Sequence, residues 1–283
     1  MGKITLAALQ LALNCTEEAD NIAAVSALVT QAAEQGARIV PPPELFSGPY
    51  FCKVEDEALF ALARPVAEHP SVIAMQALAA SLKVAIPTSF FERDGQHYYN
   101  TLAMIDERGE ILGTYRKSHI PDGPGYEEKY YFRPGNDGFK VWDVAGTRIG
   151  VGICWDQWYP ECARVMALLG AQLLLYPTAI GSEPYDAELD TSRMWRRAMV
   201  GHAVSNCMPV IAANRTGTED GQRFYGHSFI CDEWGDEIAS FGGQESGVLL
   251  AELDLERAAR HRAGMGFFRD RRPQLYARIC EDI

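Results

Sequence analysis

No Cys-x-x-Cys pair occurs in this 283-residue chain, and its seven cysteines, at 15, 52, 154, 162, 207, 231 and 280, are odd in number and scattered. They show no metal-ligand spacing, and the pattern is that of reduced thiols in a cytosol. Also missing is any lysine-arginine run long enough to follow a phosphate backbone. With 26 basic against 38 acidic residues and a net charge of −12, nucleic acid is disfavoured as the main partner and a cationic substrate fits better. No apolar stretch approaches the length of a membrane span. The opening MGKITLAALQLALN has one lysine and an apolar alternation that breaks at Asn14, with no small-residue cleavage site after it. Met1-Gly2 lacks the serine or threonine that myristoylation requires at position 6, where Leu6 stands. These absences lead us to expect a soluble cytoplasmic protein with no membrane partner.

The composition supports a large core, since 47% of the residues are hydrophobic. Periodicity predicts a β-α-β opening: a strand at Ile4 to Leu11, a helix at Asn21 to Gln35 closed by Gly36, and a short strand at Arg38 to Val40 stopped by three prolines. A helix from Ser71 to Leu82 precedes strands at Val84 to Phe90, Tyr99 to Ile105 and Ile111 to Arg116. After a loop at Lys117 to Gly138, strands are expected at Phe139 to Val144 and Arg148 to Ile153, then a helix near Pro160 and a strand at Gln172 to Tyr176. A long helix at Leu189 to Ser205 and a strand at Val210 to Ala213 follow. The last third is expected to hold strands at Phe224 to Cys231, Ile238 to Phe241 and Val248 to Leu253, a short helix, and an irregular basic tail after His261. Alternating helices and strands without a low-complexity linker predict one α/β domain over residues 1–283 with mixed sheets.

In such folds, sites gather beyond the carboxyl ends of strands. Glu44, Lys117, Cys154, Glu183 and Asn214 each follow a predicted strand end. A thiol is scarcely ionised at neutral pH and needs a base or a positive field. Glu44 can serve as the base and Lys117 as the cation that steadies a thiolate and then an oxyanion. The backbone N–H of Trp155, just after Cys154, is a natural second oxyanion donor. Taken singly, each residue has a plainer reading: a cysteine ending an apolar strand is more often core than catalyst. A Cys-His pair with His119, His202 or His227 as base is an alternative that spacing leaves open.

Considered together, PELF at 43–46, YRKSHIPDGPGYEEKYYFRPG at 115–135 and GICWDQWYPECAR at 152–164 resemble the nitrilase superfamily of carbon-nitrogen hydrolases in both order and spacing. The resemblance implies a four-layer α-β-β-α sandwich, no metal or organic cofactor, and homodimers or larger homo-oligomers. It also implies a Glu-Lys-Cys triad falling on Glu44, Lys117 and Cys154, with a second glutamate falling on Glu128 rather than the adjacent Glu127. Further stretches, YPTAIGSEP at 176–184, WRRAMVGHA at 195–203, ANRTG at 213–217 and FRDRRPQLY at 268–276, resemble the branch that hydrolyses N-carbamoylputrescine, a small cationic carbamoyl substrate. PPPELF departs from that pattern, which commonly has an aliphatic residue before Pro-Glu.

On that reading Glu183 is the candidate partner of the substrate ammonium, which needs a carboxylate in return for lost water. Asp122 and Tyr126 are candidates for the pocket mouth, and Trp155 and Trp158 for the walls around an apolar segment. Residues 262–283 are expected to form a C-terminal interface tail. Two alternatives stay open: hydrolysis of another carbamoyl compound such as a β-ureidopropionate, and a scaffold that keeps the fold without catalysis.

Overall fold

The computed structural model describes residues 2–281. β1 (Lys3–Gln10) shows how the layers arise. Its side chains alternate between two environments, with Leu6 and Ala8 facing one core and Ala7 and Leu9 another, so a nearly continuous apolar run is what a strand covered on both faces requires. β1 pairs antiparallel with β13 (Gly247–Asp254). On its other side Ile39 bridges to Leu6 and also to Ala85, both in parallel. β2 (Ile86–Asp94), β3 (His97–Ile105) and β4 (Ile111–Arg116) then extend this sheet as an antiparallel meander.

The second sheet has six strands in the order β12 (Glu237–Ser240), β11 (Phe229–Cys231), β8 (Val210–Asn214), β7 (Leu173–Thr178), β6 (Thr147–Val151), β5 (Val141–Val144). β6, β7 and β8 are parallel, and the outer strands run antiparallel. Between the sheets lies a core containing Leu102, Met104, Ile149, Val151, Leu175 and Ile211.

Helices cover both outer faces. α1 (Glu18–Glu34) and α2 (Pro70–Leu82) lay Val25, Val29, Val72 and Met75 on the first sheet. α2 begins with Pro70, whose missing N–H costs nothing there, and ends at Lys83 in the left-handed region at φ 59°. α4 (Pro160–Leu168) and α5 (Ser192–Asn206) cover the second sheet with Cys162, Met166, Trp195 and Met199. The architecture is the expected four-layer α-β-β-α sandwich with mixed sheets. α3 (Glu128–Tyr131) lies between β4 and β5, and β9 (Thr216–Glu219) pairs with β10 (Gln222–Tyr225) in a small hairpin.

Three expectations need correction. Arg38 to Val40 is not a full strand: its backbone bonds reach Thr5 and Ala85, but only Ile39 pairs on each side before the prolines intervene. The expected strand from Phe224 to Cys231 is two, because Gly226 at φ 62° and His227 at φ 58° turn the chain between them. A Cβ at residue 226 would lie 2.7 Å from the Gln10 amide, so the turn needs glycine twice over. The last helix, α6 (Leu255–Met265), starts on an Asp254 cap that accepts from the Arg257 N–H and runs past His261 before the tail begins.

Candidate active site

The two sheets bring their strand ends to one place. The segment after Ile39 supplies Glu44, β4 leads into Lys117, β6 into Cys154, and β7 into residues 179–183. Lys117 is wholly buried and its Nζ donates to Glu44 Oε1 at 2.9 Å and to Glu128 Oε2 at 2.7 Å. Both carboxylates are equally buried, so this is an ion cluster that must satisfy itself. Glu128 sits in the short α3 and is the one of the two adjacent glutamates that accepts from Lys117; the Glu127 backbone N–H donates to Cys52 O.

Cys154 lies in a strained elbow at φ 42°, just past β6 and at the start of a 3-10 turn. Such backbone is tolerated where surrounding bonds over-determine it. Here the bracing comes from Asp156, wholly buried, whose Oδ2 accepts from Ile153 N at 2.9 Å and from the Tyr115 hydroxyl at 2.7 Å. Its Oδ1 accepts from His119 N at 3.0 Å, tying the turn that carries Cys154 to the Lys117 segment. The second position of a helical turn has no internal acceptor, so the Trp155 N–H is left for an external oxygen.

Charges follow from burial. The Cys154 thiol is pushed well above its ordinary range by burial and by the Glu44 charge, with Lys117 opposing. It rests as a thiol whose hydrogen bond goes to Ala179 O at 3.9 Å. Burial pulls the Lys117 ammonium down, but the charges of Glu128, Glu44 and Cys154 outweigh it and hold lysine well above its usual value. Burial, aided by Glu44, raises Glu128 to about 7 against the pull of Lys117. Glu44 Oε1 accepts from Lys117 and, at 2.6 Å, from Asn100 Nδ2, while its buried Oε2 has no protein partner. One carboxylate oxygen is thus fixed and the other is open to a proton.

Above Cys154 is a cavity of about 140 Å³ lined by Asp122, Tyr126, Glu128, Trp155, Ile180, Glu183 and Tyr185 among others. Tyr126 accepts from Gly181 N at 2.9 Å and donates to Ser182 O at 3.2 Å, fixing the loop that carries Glu183. Glu183 is half-buried, its carboxyl raised by burial, and no described residue pairs with it. No lysine or arginine lines this cavity among the described residues. Trp158 departs from expectation: it stands outside the cavity and packs on the core beneath α4 and α5, its ring 6.2 Å from that of Trp155. Asn214 is also structural, bonding Ile180 on both its N–H and its carbonyl.

None of the three candidate histidines bonds the thiol. His119 Nδ1 meets Asp156 Oδ1 at 2.7 Å, His202 Nε2 meets Gln157 O at 2.8 Å, and His227 lines a different cavity with Asp190. Asn100, Asp156, Tyr50 and Arg215 form supports that sequence reasoning missed. Their only signal is polarity inside apolar or strand-like context, which names no partner. Among the described residues no group of His, Cys, Asp or Glu is arranged to hold a metal ion.

The chain is similar to known proteins over nearly its whole length. The chain is 51% identical over 282 residues to N-carbamoylputrescine amidase of Solanum lycopersicum, covering 96% of this chain and 93% of that protein. It is 50% identical to citrullinase of Francisella tularensis, covering 99% of each. The crystal structure of a carbon-nitrogen hydrolase from Helicobacter pylori G27 matches with a TM-score of 0.93 at 36% identity, covering 99% of both chains. Residues 5–263 match the carbon-nitrogen hydrolase family, and the chain belongs to that family, within the nitrilase superfamily.

Proposed function

We propose that this chain hydrolyses N-carbamoylputrescine to putrescine, ammonia and carbon dioxide through a covalent intermediate on Cys154. The observation that carries the substrate class is the cavity: a buried thiol at its base, the carboxylates of Asp122 and Glu183 in its lining, and no lysine or arginine in that lining among the described residues. The substrate's ammonium finds an unpaired half-buried acid in Glu183, and Trp155 and Ile180 wall its apolar stem. The relative named N-carbamoylputrescine amidase supports the same reading.

In the reaction, Glu44 takes the thiol proton on its open oxygen as sulfur attacks the ureido carbon. Lys117 and the Trp155 N–H hold the developing oxyanion. Glu44 returns the proton to the leaving nitrogen as the carbon–nitrogen bond breaks, leaving a carbamoyl thioester. Water, deprotonated by Glu44, then attacks the same carbon; the carbon–sulfur bond breaks, Glu44 returns that proton to sulfur, and the carbamic acid set free decomposes to carbon dioxide and the second amine. Glu128 fixes the Lys117 ammonium through both its oxygens.

Citrulline is the competing substrate, given the citrullinase relative. It carries an α-carboxylate besides its ammonium, and that carboxylate would meet Asp122 or Glu183 without a cation to receive it. An ammonia-release assay over N-carbamoylputrescine, L-citrulline, N-carbamoyl-β-alanine and simple amides tests the proposal. Preference for the cationic compound supports it, and preference for L-citrulline or N-carbamoyl-β-alanine rejects it.

The proposal extends to the setting of the enzyme. The chain acts as one domain, in a cytoplasm that keeps its cysteines reduced, in a putrescine-forming step. No helix among the described residues is long and apolar enough to cross a membrane. Exposed Val165, Leu168 and Leu169 near α4, with Leu275 and Ile279 in the tail, support a homo-oligomer joined through these helices and residues 262–283.

A further inference from the structure

We propose that Arg215, Glu219 and Tyr50 form a positioning relay that sets both candidate catalytic glutamates, Glu44 and Glu128, from one buried guanidinium. This rests on the reading of Glu44, Lys117, Glu128 and Cys154 as the catalytic machinery.

Arg215 lies between β8 and β9 and is wholly buried. A buried guanidinium needs partners for its donors, and here both terminal nitrogens have them while Nε has none among the described residues. Nη2 donates to the carbonyls of Glu44 at 2.9 Å and Leu45 at 3.0 Å, and Nη1 to Glu219 Oε1 at 2.9 Å and Gly48 O at 3.2 Å. Three of the four acceptors are therefore backbone oxygens of the loop that carries Glu44.

That loop is strained. Leu45 stands at φ 48°, a left-handed conformation that strains a residue with a Cβ. The carbonyls before and after its Cα both accept from the same Nη2, so the guanidinium pins the strained residue from both sides. The Glu44 N–H is held by Thr178 O at 3.3 Å, and the Leu45 N–H by the Ser89 hydroxyl at 3.1 Å. Release of Arg215 lets Leu45 relax and turns the Glu44 carboxylate away from Lys117.

The other arm reaches Glu128. Glu219, which neutralises Arg215, accepts from the Tyr50 N–H on Oε2 at 2.5 Å, and the Tyr50 hydroxyl donates to Glu128 Oε1 at 2.7 Å. Lysine in place of Arg215 keeps the charge but is a point donor that cannot span four acceptors in a plane.

The test compares Arg215→Lys, Tyr50→Phe, the double variant and Cys154→Ala, each checked for fold by circular dichroism and assayed for ammonia release from N-carbamoylputrescine and L-citrulline. Arg215→Lys is expected to lower kcat by about 10-fold or more while KM stays within about threefold, as misplacement of a reacting group does. Tyr50→Phe is expected to lower kcat by about fivefold. It also moves the limb of the pH profile set by Glu128 to higher pH, because the charged carboxylate loses a donor. The groups facing Glu128 are then Lys117 and Glu44, with the thiols of Cys52 and Cys154 nearby. The double variant is expected to lose less than the product of the single losses, since both act on one relay.

Folded variants with wild-type kcat and pH profile, losses confined to KM, or losses that simply multiply overturn the relay. If Arg215→Lys does not fold, Tyr50→Phe alone decides by its kcat and pH profile. An inactive Cys154→Ala beside unaffected relay variants rejects the relay only. A fully active Cys154→Ala rejects the catalytic reading and the relay with it.

Discussion

Replacing Lys117 by methionine probes the ion cluster most sharply. The change keeps roughly the stem volume and removes the one cation that offsets two buried carboxylates, at 2.9 Å and 2.7 Å. Breaking a buried pair by removing one partner costs about 3–5 kcal/mol, because the remaining charge is uncompensated. Glu128, which burial already raises to about 7 against the pull of Lys117, goes higher once that cation is removed and holds a proton in the folded state, while in the unfolded chain it titrates as an ordinary carboxylate. The folded variant therefore holds more protons than the unfolded one, and its stability falls as pH rises. For each extra proton relative to wild type, the deficit grows by about 1.4 kcal/mol per pH unit. Urea denaturation of both proteins from pH 6 to 8 measures this, with circular dichroism as the probe. We expect the deficit to be largest at pH 8 and to narrow toward pH 6. A deficit that does not vary with pH would mean that Lys117 does not offset ionised carboxylates, and the charge assignment fails.

Other outcomes follow from the same geometry. Glu183→Gln is expected to raise KM for N-carbamoylputrescine by about 10-fold or more, the loss of one charged contact, with little change in denaturation midpoint; an unaltered specificity profile removes Glu183 from the pocket. Folded Glu128 keeps its proton up to about 7 against an ordinary 4.5, so it contributes stability at low pH that is lost as pH rises through that window. Wild type minus Glu128→Gln should accordingly decline from pH 4.5 to pH 7, and a flat difference refutes the raised value. His119→Ala is expected to retain substantial ammonia release while Cys154→Ser abolishes it; the reverse pattern restores the Cys-His pair. Asn100→Ala leaves Glu44 with Lys117 as its side-chain partner, and we expect kcat to fall by about 10-fold as the base loses its alignment.

The candidate site was legible in the sequence where it is built from motif residues after strand ends. Glu44, Lys117 and Cys154 each follow a recognisable apolar run, and the buried Glu128 differs from its neighbour Glu127 only once the loop is folded. Their supports were not legible, because they are long-range. Asn100 lies 56 residues from Glu44 and Arg215 lies 171, and nothing local marks either as its partner. The fold reads well where apolar side chains alternate, as in β1 and β8. It reads poorly where backbone geometry decides, as at Gly226 and His227, whose positive φ values split an otherwise strand-like run. Trp158 follows the same logic: an aromatic after a strand end is compatible with a pocket wall or a core, and only the 3-10 turn directs it inward.

The central claim is that sulfur of residue 154 forms a bond to the substrate carbon with Glu44 moving the proton. Mass spectrometry of tryptic peptides from the wild type and Glu44→Gln, quenched in acid during incubation with N-carbamoylputrescine, tests it directly. The wild type should carry a carbamoyl adduct on the peptide containing Cys154, and Glu44→Gln, which lacks the base for sulfur attack, should carry none and release no ammonia. Turnover with no adduct, an adduct confined to another cysteine, or an adduct formed as readily in Glu44→Gln contradicts it.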